Sequence, residues 1–140
     1  MKYQIQEGFF HLPDGGVDES VNIIKFSDIH SALVVTRTRL KEGQTLDNYC
    51  DQQMAEIKRA MKNFLSDERQ VVVLPGSHGT QRLSYQTHCE FDQKQQRMYQ
   101  RLLFTEAEGY LLVMAYSQPR QFTETDTAHW QNIIDSLVLH

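Results

Sequence analysis

The stretch PDGGVDESVNIIKF, residues 13–26, places a turn directly before a strand-like run of apolar residues. The letters DGG are typical of a turn, and residues 20–26 have the composition of a strand. Successive side chains on a strand point to opposite faces, so Val21 and Ile23 would share one face while Ile24 lies on the other. Both faces of this strand are therefore apolar, and a single core covers only one of them.

The same two-faced pattern recurs in three later segments, at residues 32–37, 98–104 and 111–116. The segments are joined by short connections rich in Gly, Asp and Pro, which favours hairpins and hence an antiparallel sheet. Seven strands are predicted, at about residues 3–12, 20–27, 31–39, 69–74, 81–92, 95–106 and 109–117.

Two segments have the three-and-four spacing of apolar residues that is typical of helices. The first prediction runs from about Thr45 to Leu65, with Thr45 as the N-cap. The second runs from about Thr123 to Leu137, and its start resembles a capping box in which Asp126 replaces the usual Glu or Gln.

These elements predict the α+β class: a single domain over residues 1–140, with a twisted, mostly antiparallel sheet of about seven strands. Seven strands at ~4.8 Å spacing make a sheet about 29 Å wide. Two helices, each ~10 Å across, cover about 20 Å when they lie side by side. We expect both helices mainly on one face, which leaves an apolar second face. A helix on each face, a homodimer contact or scattered surface residues would also account for it.

Composition and charge exclude several classes of function. The net charge is −4, the pI is near 5.8 and the basic residues are scattered, which argues against a nucleic-acid partner. The N-terminus lacks the apolar region of a signal peptide. The longest apolar run, residues 111–116, is far shorter than the ~20 residues of a membrane span. We therefore expect a cytoplasmic protein with no direct membrane insertion.

Little in the sequence points to catalysis. The six histidines, at positions 11, 30, 78, 88, 129 and 140, show no metal-ligand spacing with one another or with cysteine. His88 and Cys89 are adjacent, so on a strand they face opposite sides. Cys50 and Cys89 are expected to be free thiols. The loop at residues 75–79 fits neither a phosphate loop nor a nucleophile elbow and is predicted to be a hairpin turn. We expect neither enzymatic activity nor a cofactor or metal.

Two long stretches of the chain carry a distinctive set of motifs: LPDGGVDESVNIIKF, at residues 12–26, and SALVVTRTRLKEGQTLDNYCDQQMAEIKRAMKNF, at residues 31–64. These stretches resemble the Eag-type chaperones of bacterial type VI secretion, which belong to the DcrB-like family. The matching features are the Pro-Asp turn, the Asp-x-Ser-Val-Asn-Ile motif, a hairpin ending in Thr-Arg, and Tyr-x-x-x-Gln within a helix. The order of the hairpins and the final Trp-bearing helix also agree, so the resemblance covers nearly the whole chain.

The resemblance implies a small cytoplasmic homodimer that is not an enzyme. Such chaperones hold the N-terminal transmembrane helices of toxic effectors, often of the Rhs type with a PAAR tip domain, until the effector is loaded for secretion. Matching the motif positions gives a candidate effector-helix-binding site on the second face of the sheet. Gln53 and Met61 would line the edge of this groove, and Gln100 would supply an amide beside Leu102. The full set is Val21, Ile23, Val34, Thr36, Gln53, Met61, Gln100 and Leu102.

Two other functions remain open on the sequence alone. The same fold could serve as a binding module for a partner that is not a membrane segment. A small enzyme that uses Cys89 or a histidine is the other alternative.

Overall fold

A computed structural model of the protein describes residues 1–139, in which the chain forms nine strands and two α-helices. Short 3-10 turns at Ser27–Ile29 and Ser77–Gly79 join neighbouring strands. The strands are β1 Lys2–Ile5, β2 Gly8–His11, β3 Val21–Phe26, β4 Ser31–Arg39, β5 Lys62–Ser66, β6 Gln70–Pro75, β7 Gln81–Gln93, β8 Gln96–Ala107 and β9 Tyr110–Gln118. The helices are α1 Leu46–Ala60 and α2 Glu124–Ser136.

Seven of the strands form one antiparallel sheet in the order β3-β4-β9-β8-β7, with β5 and β6 both paired to β7. Since β8 already lies on one side of β7, both short strands share its other side, β6 with the first half and β5 with the second. The α+β class and the seven-stranded antiparallel sheet predicted from the sequence are confirmed, and residues 75–79 are a hairpin connection as predicted.

The single strand predicted over residues 3–12 is wrong. This segment is a hairpin, with β1 and β2 joined by a turn at residues 6–7, and it forms a separate two-stranded sheet. The polar pair before Gly8 turns the chain, so Tyr3 pairs with Phe10 rather than with the main sheet. The hairpin is fastened to the segment before β3 by a 2.8 Å hydrogen bond that the Tyr3 hydroxyl donates to Asp18.

The first helix is shorter than predicted, because the chain becomes extended at Met61 and continues as β5. The apolar residue Phe64 fits the helical spacing, but it lies on β5. Pairing of Lys62 with Asp92 and of Leu65 with Glu90 supplies β5 with backbone partners on β7 that a longer helix would forgo. Both predicted N-caps are confirmed, at Thr45 and at Thr123, and the latter forms a reciprocal capping box with Asp126.

The two helices lie on opposite faces of the sheet, which corrects the expectation that both pack mainly on one face. Leu102 of β8 packs in one core cluster with α1, while its neighbour Leu103 packs in a second cluster with α2. Because adjacent side chains of a strand point to opposite sides, the two clusters lie on different faces. The physical reason is that the central strands β8 and β9 are apolar on both sides, and each side needs a helix to exclude water.

The α1 cluster is built around Tyr49, Cys50, Cys89, Phe91, Leu102, Phe104, Leu111 and Val113. The α2 cluster is built around Leu33, Leu74, Leu103, Met114, Tyr116, Trp130, Ile134 and Leu139. Neither helix in the described part of the chain is long and apolar enough to cross a membrane.

Candidate functional site

The register of the sheet brings four of the predicted site residues together at its β3 edge. Val21 pairs with Thr36, and Ile23 pairs with Val34. Directly opposed residues point to the same side of a sheet, so these four side chains share one face. Their partners on β9 are Val113 and Ala115, which belong to the α1 side. We call Val21, Ile23, Val34 and Thr36 the β3–β4 surface.

The β3–β4 surface lies beyond the part of the sheet that α1 covers. Val21 is 54% exposed and Ile23 is 61% exposed, although both are large apolar residues. Val34 and Thr36, one strand further in, are half-buried. Burial therefore decreases outward from α1, and the edge of this face is apolar and open.

One flank of α1 faces this surface. The Tyr49 hydroxyl lies 3.3 Å from the hydroxyl of Thr38 on β4, at hydrogen-bonding distance. Gln53 lies one turn further along the helix on the side of Tyr49, because residues four apart are neighbours on a helix. Gln53, which the sequence places at the edge of the groove, is thus half-buried on the flank of α1 that faces β4.

The other flank of α1 is tied to the opposite part of the sheet. Arg69, between β5 and β6, donates to Asp51 at 2.7 Å and to Asp47 at 2.9 Å. The same guanidinium lies 4.8 Å from the centre of the Tyr85 ring. Met61, predicted at the edge of the groove, does not border the β3–β4 surface. It is the C-cap residue of α1, directly before β5 at the far side of the sheet, and it packs half-buried against the α1 cluster.

Polar side chains lie on the same face in the next cross-strand row. Gln100 on β8 pairs with Ser117 on β9, which pairs with Ala32 on β4. The Gln100 amide donates a 2.9 Å hydrogen bond to the Ser117 hydroxyl and accepts one of 3.5 Å from the Cys89 thiol. This row adds hydrogen-bonding groups beside an otherwise apolar surface.

Leu102 differs from the other predicted residues because it is only 2% exposed. It lies in the same cross-strand row as Ala115, Val34 and Ile23, but within the part of the sheet that α1 covers. A ligand on the surface of the protein does not reach it.

Sequence reasoning missed Ala115, Ser117 and the contact between Tyr49 and Thr38. The pairing of β4 with β9, strands more than 70 residues apart in the chain, brings Ala115 and Ser117 to the site, and the packing of α1 on β4 brings Tyr49 to Thr38. The alternation within each strand assigned faces, but no local signal indicated that β4 and β9 are neighbours.

Both cysteines are free thiols, as the sequence predicted, and both are buried. Burial raises the pKa of the Cys50 thiol and of the Cys89 thiol to about 12 in each case. Each is therefore a neutral thiol near pH 7 and a weak nucleophile, which favours a packing role.

Within residues 1–139 no three His, Cys, Asp or Glu side chains are grouped so that they could hold a metal ion. His140, one of the six histidines considered in the sequence, lies outside the described residues. The cavities of this part of the chain include one of about 330 Å³ beyond the end of α2, lined by Asp18, Arg37, Glu108 and apolar residues. That lining combines opposite charges without a cysteine or histidine.

Comparison with known proteins identifies the family. The model of the DcrB family matches residues 7–136. The chain belongs to the DcrB family. A solved structure with the same fold is PA94 from Pseudomonas aeruginosa, a protein of unknown function described as a candidate regulator. It shares 18% sequence identity with this DcrB-family chain at a TM-score of 0.75, over 100% of this chain and 96% of PA94. No curated protein matches the chain.

Proposed function

We propose that this DcrB-family protein is a cytoplasmic chaperone that binds and shields the N-terminal transmembrane helices of a type VI secretion effector of the Rhs or PAAR type. It keeps the effector soluble until loading, acts as a homodimer, and works by binding rather than catalysis, without a cofactor. The observation that carries the proposal is the exposed β3–β4 surface beside α1, together with the resemblance of its residues to the Eag-type motif.

The dimensions of this surface suit one helix. Two neighbouring strands lie ~4.8 Å apart, so with their side chains they offer a strip about 10 Å wide. An α-helix with its side chains is about 10 Å across. A second helix therefore fits beside α1, on the part of the sheet that α1 leaves bare.

The chemistry of the surface also suits a transmembrane segment. Val21, Ile23 and Val34 offer apolar contact to side chains that water would otherwise surround. Thr36, Gln53 and Gln100 lie on or beside the same surface and supply hydrogen-bonding groups for the Ser and Thr residues of such a helix. The charged residue on this face of β3 is Lys25, which is exposed at the end of the strand, so a helix seated on Val21, Ile23 and Val34 leaves this charge at the rim.

The surface of one copy is shorter than a membrane span. The six residues of β3 extend about 20 Å, which matches roughly 13 residues of a helix. A span contains ~20 residues, so one copy covers about two-thirds of it.

The first experiment is co-expression with the first ~70 residues of a neighbouring effector gene product, a length set by one or two spans of ~20 residues with flanks. We expect a complex that co-purifies without detergent. If the segment is insoluble and the protein elutes alone, the proposal is wrong, and a binding module for a partner that is not a membrane segment becomes the better account.

A matched pair of variants locates the binding surface. Ile23→Asp places a charge on the β3–β4 surface, whereas Ile24→Asp places it on the opposite face of the same strand. The two side chains are 61% and 47% exposed, so neither change should unfold the protein. We expect Ile23→Asp to abolish co-purification and Ile24→Asp to preserve it. Equal effects on binding, with both variants folded by circular dichroism, would contradict the assignment of the face.

A further inference from the structure

The outer edge of β6 is an open strand edge at the opposite side of the sheet from β3. Six consecutive residues of β6, Gln70 to Pro75, pair with β7 without a bulge. Within residues 1–139, β7 is the only strand to which β6 is paired. The backbone groups on the other side of β6 are therefore free to pair with a further strand.

This edge lacks most of the features that prevent pairing with another chain. The sequence QVVVLP contains no charged residue. Val71 and Val73 are 61% and 54% exposed, and they lie on the same face as Leu83 of β7, which is 56% exposed. Natural edge strands are usually protected by Lys, Pro or a bulge. Among the other edge strands of this sheet, β3 carries Lys25 and β5 carries Lys62, whereas β6 has only Pro75 at its last position.

We propose that β6 pairs antiparallel with β6 of a second copy, so that two sheets join into one continuous sheet. A two-fold axis perpendicular to the sheet relates two antiparallel copies of the same strand and turns the same face of both copies to one side. The apolar residues of this edge then pack against the same residues of the second copy, because Val71 and Val73 of one copy lie beside those of the other. No charge is buried in this contact.

The symmetry restricts the register. Opposed residues must point to the same side of the sheet, so their numbers sum to an even value. Centring the axis on Val72 opposes Val72 to its own copy and Val71 to Val73 of the partner copy. In this register Pro75, which has no N–H to donate, lies at the end of the pairing. An axis centred on Val73 would instead place Pro75 opposite Val71 of the second copy.

The buried area predicts a dimer of moderate affinity. Three half-exposed aliphatic side chains and a paired strand edge remove about 1,000 Å² of surface from water over both copies, which is at the low end for a specific interface. We therefore expect an association that weakens on dilution into the micromolar range.

Pairing of β6 with β6 would form the interface of the homodimer in the proposed function. It rests on the homodimer alone and not on helix binding. It has a consequence for helix binding, because the two-fold axis directs α1 and the β3–β4 surface of both copies to the same side. Two bare strips, one from each copy, would then be available to the transmembrane segments of one effector.

The test compares two Val→Lys variants by sedimentation velocity over a range of concentrations. Val73 and Val21 are each 54% exposed, lie on edge strands and face the α1 side, so Val73→Lys and Val21→Lys are closely matched. We expect wild type and Val21→Lys to dimerise and Val73→Lys to be monomeric. A wild-type monomer at all concentrations, or equal effects of the two variants, would overturn the proposal.

Oxidative cross-linking tests the register without a disruptive charge. Opposed residues have Cα atoms 4.5–5.5 Å apart, within the range of a disulfide, whereas diagonal neighbours are about 7–8 Å apart. We expect Val72→Cys to form a disulfide-linked dimer at least several-fold faster than Val71→Cys. Wild type should not cross-link, since Cys50 and Cys89 are buried.

Equal rates for the two cysteine variants, or no cross-link in either, would contradict the register and the edge pairing. The helix-binding proposal is tested separately, because Ile23→Asp changes a residue at the opposite edge of the sheet. A protein that is monomeric but still solubilises the effector segment would retain the helix-binding part of the proposed function and exclude the β6 dimer.

Discussion

The two helices cover opposite faces of one sheet, but they are held by different kinds of contact. α2 inserts Trp130 and Ile134, each 3% exposed, into the core, and a buried polar network around Asp126 fixes its start. α1 buries Tyr49 and Cys50 near its start, and exposed ion pairs to Arg69 hold one flank. Its other flank borders the bare β3–β4 surface.

The different contacts of the two helices assign stability mainly to α2 and binding mainly to the surface beside α1. A helix fixed by core aromatics and a buried carboxylate stabilises the sheet, and little of its apolar surface remains for a partner. A helix with one free flank forms one wall of a binding surface. The comparison predicts that changes at α2 mainly lower stability, whereas changes beside α1 mainly alter binding.

The largest expected effect is that of Trp130→Ala. Trp130 packs against Tyr116, with ring centres 6.1 Å apart, inside the α2 cluster. Removal of a buried aromatic side chain leaves a cavity and costs about 3–5 kcal/mol of unfolding free energy. Urea denaturation would measure the loss. A cost below that of Arg69→Met would contradict the division of roles between the helices.

Asp126 should make α2 sensitive to acid. Burial alone would raise the pKa of Asp126, but backbone and side-chain hydrogen bonds from Thr123 and Gln118, with the charge of Arg120, lower it to about 2. The unfolded value is about 3.9, so the ionised carboxylate contributes about 2 kcal/mol of stability above pH 4, and this is lost as the pH falls towards 2. We expect Asp126→Asn to be destabilised by a similar amount at pH 7, and its deficit relative to wild type to shrink at pH 3. A deficit in urea denaturation that does not change with pH would rule out this role of the carboxylate.

The smallest effect is expected for Arg69→Met, which removes the ion pairs of α1 but retains an apolar stem. The side chains of Asp47 and Asp51 are 57% and 72% exposed, so solvent screens both pairs. Together with the lost contact to Tyr85, the cost should be about 1 kcal/mol and should shrink in 1 M salt. Thermal unfolding at two salt concentrations measures it, and a loss as large as that of Trp130→Ala would show that α1 is anchored more firmly than the contacts suggest.

Much of the fold follows from local patterns in the sequence. The alternation in β4, β8 and β9 assigned side chains to faces correctly, and Thr45 and Thr123 marked the helix starts. The exceptions have a shared cause. The strands β1, β2 and β5 are only four or five residues long. Such short segments contain too few repeats of the apolar pattern to show whether a segment is strand or helix, or whether it holds one strand or two.

The candidate site was predicted in part. Val21, Ile23, Val34 and Thr36 lie together as expected, because their grouping needs only one local hairpin. Leu102 was expected at the surface, but α1 covers it. Its burial depends on the position of a helix that lies about 50 residues earlier in the chain, which the pattern of β8 alone does not reveal.

The sequence by itself determined the α+β class, the faces of the central strands and the apolar nature of both sides of β3. These properties depend on the identities of neighbouring residues, which alternation and turn chemistry report directly. Only the tertiary structure decided that each face receives one helix, that α1 leaves β3 uncovered, and that β6 ends the sheet with an open edge. These are properties of strand order and long-range packing, where the free energy comes from burying surfaces that are distant in the chain.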